Sequence, residues 1–273
     1  MTSPTAPSVD IDTCDNEPIH IPGAIQPHGV LLALTAGSLV VQQVAGDTQG
    51  VLGATPEELL GQSVETWLGA AQVARLQDAL RVQRGLTRSL PMFEVILLKD
   101  GRMLDAFVHE GDGVTILEFE RARATEGGDA GAAMRRLQSH LAGARTVAAL
   151  LQGIADAVHA VTGFGRVMVY RFLPDGSGRV EAEARDAGVA SFLGLHYPAA
   201  DIPVQARALY LKNWLRLIPD VTYVPAPLQP LVHPATGRML DLSQSVLRSV
   251  SPIHLEYLSN MGAMVINPAT RVS

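Results

Sequence analysis

MFEVILLKDGRMLDAFVHEGDGVTILEFE, residues 92–120, decides the fold of the first half of this chain. It holds three strand-like runs separated by two turn signals. Asp100-Gly101 between MFEVILLK and RMLDAFVHE is the strongest short-range hairpin signal, because both central turn residues must reach positive φ. Gly111-Asp112-Gly113 then returns the chain into VTILEFE. The stretch therefore predicts a three-strand antiparallel meander.

Upstream of it, VLLALTAG (30–37) is a short apolar run ending in turn residues, and SLVVQQVAG (38–46) is its expected antiparallel partner. Thr55-Pro56-Glu57-Glu58 predicts a helix start, with Thr55 as N-cap, Pro56 at N1 and Glu58 completing a capping box. A further helix is expected over about 70–83, with Val73, Leu76 and Leu80 on one face. HIPGAIQPHG (20–29) carries two prolines and two glycines and must be extended, with Ile19, Ile21 and Ile25 as apolar anchors. Residues 1–17 read as a flexible leader. Two strands, short helices and a three-strand meander form the PAS pattern: one antiparallel sheet with helices on one face, here over residues 18–122.

Downstream, RARATEGGDAGAA (121–133) is a small-residue boundary, with 123–133 as linker. A long helix is expected from Met134 to about Val161, with Gly163 at its C′ position. VMVYRF and RVEAEAR are strands joined by the turn LPDGSG. A long helix followed by a hairpin fits a GAF domain, over 134–273. In YPAADIPVQARALY (197–210), Asp201 reads as an N-cap and Pro203 as part of the first helical turn. Residues 223–245 carry Pro225, Pro227, Pro230, Pro234 and Gly237 and show no period. A loop of that length inside a compact domain is usually functional or disordered. Ser251-Pro252 opens a last helix, with Ser251 as N-cap, Gly262 as C′, and His254, Tyr257 and Leu258 on one face.

The 273 residues are 47% hydrophobic and 18% charged, enough for packed cores. A net charge of −6 and a pI of about 5.7, with no basic stripe, argue against a nucleic-acid binder. No run reaches the roughly 18 apolar residues of a membrane span. The polar, acidic N-terminus lacks the features of a signal peptide, so a cytoplasmic protein is expected. Cys14 is the single cysteine, which excludes an intramolecular disulfide and a multi-cysteine zinc site. It lies among Asp12, Thr13, Asp15, Asn16 and Glu17, a setting that favours an accessible thiol, either a site of covalent chemistry or an exposed spectator. No GxSxG, HExxH or Walker A sequence occurs, and an enzyme is not expected. His20 and His28 beside prolines read as structural.

Cys14 with EPIHIPGAIQPHG, then VMVYRF, YPAADIPVQARALY and LRSVSPIHLEYLSNMG, resembles the bacteriophytochromes, bilin-binding red/far-red photoreceptors. The motifs stand in family order along nearly the whole chain. The resemblance implies an α+β chain with a PAS domain followed by a GAF domain, antiparallel sheets with flanking helices, and a figure-of-eight knot in which the segment around Ile25 threads the 223–245 loop. It implies biliverdin in the GAF pocket, joined by a thioether to Cys14. Arg216 and Arg248 match the arginines near the bilin propionates, which a guanidinium can hold through a planar fork. The same residues read bottom-up are solvated surface arginines. Asp201 would offer its backbone carbonyl to the pyrrole N–H groups. His254 would face the central pyrroles, against its plainer reading as a packed histidine. Tyr170, Tyr197 and Tyr257 match the walls around the isomerising ring, where core tyrosines are the ordinary alternative. Ile202, Pro203 and Ser251 add lining, as does Met168, and Tyr210 closes the stretch that Tyr197 opens.

The chain departs from the family pattern after NMG. Neither a WGL-type strand nor the further bilin-facing histidine follows, and Trp67 and Trp214 lie elsewhere. The expectation is a GAF domain lacking its last strands, which would pair beside VMVYRF, and a chain without the family's third domain or output kinase. Two functions compete. One is a light sensor that photoisomerises biliverdin. The other is a PAS–GAF interaction module that dimerises, having lost efficient chromophore binding by truncation.

Overall fold

A computed structural model describes residues 17–83, 90–98, 101–121, 141–212 and 217–260, with positions 131, 135, 138 and 139. The chain gathers into two compact units: residues up to Arg123 together with those from Val204 onward, and Ala124–Pro203 between them.

In the first unit, β1 (Ala24–Ile25), β2 (Gly29–Thr35) and β3 (Val41–Ala45) precede four helices: α1 (Thr48–Leu52), α2 (Pro56–Leu59), α3 (Glu65–Leu68) and α4 (Ala70–Gln83). The meander follows as β4 (Leu90–Leu97), β5 (Met103–Gly111) and β6 (Val114–Arg121). The antiparallel sheet runs β3-β2-β6-β5-β4. Local rules give its turns and caps. Asp112 and Gly113 take φ of 51° and 77° between β5 and β6, and Gly101 takes 86°. Asp100 lies outside the described residues. Thr55 accepts from the Glu58 N–H while the Glu58 carboxylate accepts from the Thr55 N–H, so the expected capping box is present. The helix over 70–83 has the expected bounds, with Val73, Leu76 and Leu80 buried.

Both faces of this sheet are covered. Val30, Leu32, Leu104, Ala106, Val108, Leu117 and Phe119 pack under the helices. Leu31, Ala33, Val114 and Ile116, on the opposite face, pack against Ile25, Leu228, Leu240, Leu242 and Leu247. Each fully buried Leu or Ile contributes about 1.5–3 kcal/mol. The cover on this second face is irregular chain from 226–249. Its one named strand, β10 (Ala226–Pro227), pairs with β1, while Val44 and Gln229 exchange backbone hydrogen bonds of 2.9 and 2.8 Å at the sheet edge. The 223–245 loop is thus a layer of the first unit.

The extended segment 20–29 is held along both edges by this layer. Ala24 and Ile25 pair with Pro227 and Ala226 on one side, and Ile25 bridges to Arg248 on the other. Gln26 donates its N–H to Leu247 and Ser249 donates to Ala24, at 2.7 and 3.1 Å. The buried Gln26 carboxamide also donates to the Leu217 carbonyl at 2.9 Å.

The second unit contains α5 (Val147–Thr162), β7 (Arg166–Phe172), β8 (Gly178–Arg185) and β9 (His196–Tyr197), with an antiparallel sheet in the order β7-β8-β9. The expectation of one helix from Met134 to Val161 is corrected here. Gly143 forms a turn, Thr146 is extended, and its hydroxyl accepts from the Ala149 N–H to start α5 afresh. The Ala- and Leu-rich periodicity runs through the break and hides it; Gly143 and Thr146 carry the signal. Gly163 ends the helix in the left-handed conformation, as expected. No helix among the described residues is long and apolar enough to cross a membrane.

Candidate functional site

The sheet of the second unit gathers an aromatic group. Tyr170 lies 5.3 Å from Phe172 in an edge-to-face arrangement and 5.9 Å from Tyr197, between ring centroids. Such pairs stabilise by about 0.5–1.5 kcal/mol beyond burial. Two features aim Tyr170. The β7–β8 register shifts between Val169 and Tyr170, and a bulge there re-aims a side chain. Gly178, at the start of β8, leaves room for the ring: a Cβ built on it would fall against Cζ, Oη and Cε1 of Tyr170. In the sequence Gly178 reads only as the end of the turn LPDGSG, and nothing local marks this second role.

Glu183 ties down the approach to Tyr197. Its nearly buried carboxylate accepts from Ser191 Oγ at 2.7 Å and the Phe192 N–H at 3.1 Å, with Arg166 Nε at 3.3 Å and Arg185 Nε at 3.6 Å. Burial alone would raise its pKa, but the Ser191 and Phe192 hydrogen bonds and the two arginines outweigh it and hold the group below the usual carboxylate value. The Arg166 guanidinium also lies 3.7 Å over the Phe192 ring, a cation–π contact.

Asp201 is not the N-cap of the following helix. It ends a 3-10 turn over Ala199–Asp201, Ile202 is extended, and α6 (Val204–Lys212) begins after Pro203. The residue before a proline is pushed out of the helical region, so the capping role assigned to Asp201 fails at Ile202. Asp201, Ile202 and Pro203 are all half-buried.

In the first unit, α7 (Pro252–Asn260) and the chain leading to it carry Arg248, Ser251, His254 and Tyr257. The Ser251 carbonyl accepts from the Leu255 N–H at 3.1 Å, which starts the helix where expected. The Ser251 hydroxyl donates to Glu17 Oε2 at 2.7 Å. The side chain thus binds the leader. Arg248 is buried and its Nη1 donates to the Ile19 carbonyl. His254 and Tyr257 stack, with centroids 6.3 Å apart and planes 12° from parallel. Tyr223 was missed by the sequence reading: its hydroxyl accepts from the Val250 N–H at 2.7 Å and meets Ser249 Oγ at 3.0 Å. Only its place in the proline-rich loop could have singled it out.

The candidate residues therefore form two sets. Tyr170, Tyr197, Asp201, Ile202 and Pro203 belong to the second unit, and Tyr210, Arg248, Ser251, His254 and Tyr257 to the first. Tyr210 is exposed on α6. Cys14, Arg216 and Gly262 lie outside the described residues. Within the second unit the Tyr170, Phe172 and Tyr197 rings suit a flat apolar group, and within the first the stacked His254 and Tyr257 and the buried Arg248 guanidinium suit an aromatic or acidic one.

Comparison with known proteins gives the lineage. Residues 14–122 match the family model of the PAS fold. Cyanobacterial phytochrome B of Nostoc is 44% identical over 262 residues, covering 93% of this chain and 34% of that protein. A bacteriophytochrome of Pseudomonas aeruginosa is 42% identical over 272 residues, covering 96% of this chain and 35% of that protein. The chain spans about a third of the length of these curated relatives. Among solved structures, the chromophore-binding domain of Stigmatella aurantiaca phytochrome P1 superposes with a TM-score of 0.80 at 44% identity, covering 91% of this chain and 82% of that one. The photosensory core module of the same phytochrome gives 0.81 at 42% identity, covering 94% and 51%. A PAS domain followed by a GAF domain, antiparallel sheets throughout and a close match to a solved relative over most of both chains establish that this chain belongs to the phytochrome family.

Proposed function

We propose that this chain is the chromophore-binding part of a red/far-red light sensor, holding biliverdin through a thioether to Cys14. One observation carries the reading: the leader is bonded to the segment that bears the candidate binding residues, Glu17 to Ser251 and Ile19 to Arg248. Cys14 stands three residues before Glu17. Three residues of extended chain reach about 11 Å at most, a short tether for a thioether to Cys14.

The bilin supplies the absorption of red light and the double bond that turns. The protein's residues do the rest. Tyr170 and Tyr197 form a wall on the GAF sheet, and Tyr257 on α7 adds an aromatic face. Arg248 and Arg216 neutralise the propionates. His254 offers a ring nitrogen to the pyrrole side. Asp201, Ile202 and Pro203 add a backbone carbonyl and apolar lining. The pairing of residues 24–26 on both edges by 226–249 supports a threaded leader, the figure-of-eight arrangement of the family. A cytoplasmic location fits the acidic, soluble composition, and an output domain of the histidine-kinase type is the expected signalling partner.

Purified protein mixed with biliverdin should turn coloured and give a zinc-fluorescent band on a denaturing gel. Cys14→Ser should lose that band while keeping some non-covalent colour. A colourless wild-type preparation with excess pigment overturns the reading, and undiminished covalent loading in Cys14→Ser removes Cys14 from it.

A second reading rests on β7. It is an edge strand among the described residues, with Phe172 exposed, and such an edge can pair with another chain. An interaction module of this kind would be dimeric by light scattering and would not bind pigment.

A further inference from the structure

Glu118 is fully buried on β6, on the sheet face covered by 226–249. Its carboxylate faces three donors from consecutive residues. Oε1 accepts from the Ser245 hydroxyl and from the Leu247 N–H at 2.8 Å; Oε2 accepts from the Val246 N–H at 3.1 Å. Among the described residues its partners are neutral; no cation pairs with it. Arg248 is the next residue in the chain. The same segment bridges the leader, through Gln26 N–H to Leu247 O and Ile25 to Arg248.

We propose that Glu118 is an ionisable positioning residue: its carboxylate holds the 245–247 backbone, and proton uptake there loosens the segment that sets Arg248. The chemistry lies in the acceptor count. A carboxylate accepts at both oxygens, whereas a carboxylic acid has one weak acceptor and one O–H that must donate. Of the three groups facing Glu118, only Ser245 Oγ can take that proton. Oε1 then becomes a hydroxyl, and its bond from the Leu247 N–H weakens.

Burial pushes the carboxyl up to about 7; the Ser245, Leu247 and Val246 hydrogen bonds pull it down, and Glu120 adds to the rise. Among the described residues, the other charged groups on this face are these. Glu120 on β6 is paired with His28 at 3.4 Å, and Asp105 on β5 lies opposite Glu120. His109 on β5 is buried, with Asp241 of the covering loop nearby, and Arg248 itself donates to Ile19. Across the sheet, Phe107 and Leu31 flank Glu118 directly and carry no charge.

The test uses the pigment-free chain, so it stands or falls apart from bilin binding. In ¹⁵N-labelled protein, the Val246 and Leu247 amide signals and the Arg248 Nε–H signal should move together between pH 5 and 9, with one midpoint near 7. Glu118→Gln keeps an acceptor for the amides and a donor for Ser245. It should fold and abolish the shared titration. Ser245→Ala removes a donor that favours the carboxylate and should raise the midpoint. Static Val246 and Leu247 signals in the wild type, a titration that survives in Glu118→Gln, or an Arg248 signal that does not follow the amides would overturn the proposal.

Discussion

The phenol ring of Tyr170 occupies the space that any side chain at Gly178 would need. Residues on neighbouring strands are in direct conflict there, and glycine resolves it. Gly178→Ala should therefore displace the ring and break its contacts with Phe172 and Tyr197. Overpacking of this kind costs about 1–3 kcal/mol. The denaturation midpoint should fall accordingly, and the cost should largely vanish on a Tyr170→Ala background. An equal cost on both backgrounds would show that something other than the ring resists the methyl group.

Stability should depend on pH through two buried groups of opposite sign. The Glu118 carboxyl is raised from 4.5 to about 7 because burying its charge costs more than the 245–247 donors return, so its contribution to global stability is full below pH 4.5 and is lost as pH rises through 7, even though the charged form grips that segment more tightly. His109 is pushed down by burial from 6.5 to about 4, against the pull of Asp241, so its contribution is full above pH 6.5 and is lost as pH falls through 4. Each shift corresponds to about 3 kcal/mol. The two nearly cancel between pH 4.5 and 6.5. Glu118→Gln should leave only the rising limb: stability in urea should climb from pH 4 to 6.5 and then level off. A Glu118→Gln profile parallel to that of the wild type would contradict this.

Thr146→Ala should cost about 1 kcal/mol by removing the acceptor for the Ala149 N–H. The readout is thermal or urea unfolding with a helix-sensitive probe. Thr146→Asp, which keeps an acceptor at the N-cap, should recover most of the loss.

On the proposed thioether to Cys14, Glu17→Gln should slow covalent pigment loading without abolishing it. The charge-assisted bond from Ser251 is half-exposed, and its weakening is worth about 1 kcal/mol, or roughly fivefold in the population of tethered leader. A zinc-gel time course should show slower growth to the same endpoint. A lower endpoint with an unchanged rate would assign Glu17 a role other than holding the leader.

Local rules were legible. Asp-Gly and Gly-Asp-Gly marked the turns of the meander, Thr55 and Glu58 their reciprocal cap, and Gly163 a helix end, because each of these depends on neighbours in sequence. Three things were not. The break at Gly143–Thr146 lies inside an unbroken apolar period, so only the cap chemistry reveals it. Asp201 looked like a cap, but the proline two residues on moves the helix start past it. The covered second face of the PAS sheet depends on residues more than a hundred positions apart; its one local trace is that VLLAL is continuously apolar rather than alternating, as strands buried on both faces are. Of the candidate site, Tyr170 with Tyr197 and His254 with Tyr257 are paired in space, while the supports at Gly178, Glu183 and Tyr223 had no signature of their own.

That second layer also bears on how the protein is made. Leu31, Ala33, Val114 and Ile116 have all left the ribosome by the time Arg121 does, yet Leu247, which covers them, comes 126 residues later. At about 5–20 residues per second, the nascent sheet waits roughly 6–25 s with one oily side bare. Over that interval the growing polypeptide is a natural client for chaperones, and synthesis speed between Arg121 and Leu247 becomes a determinant of yield.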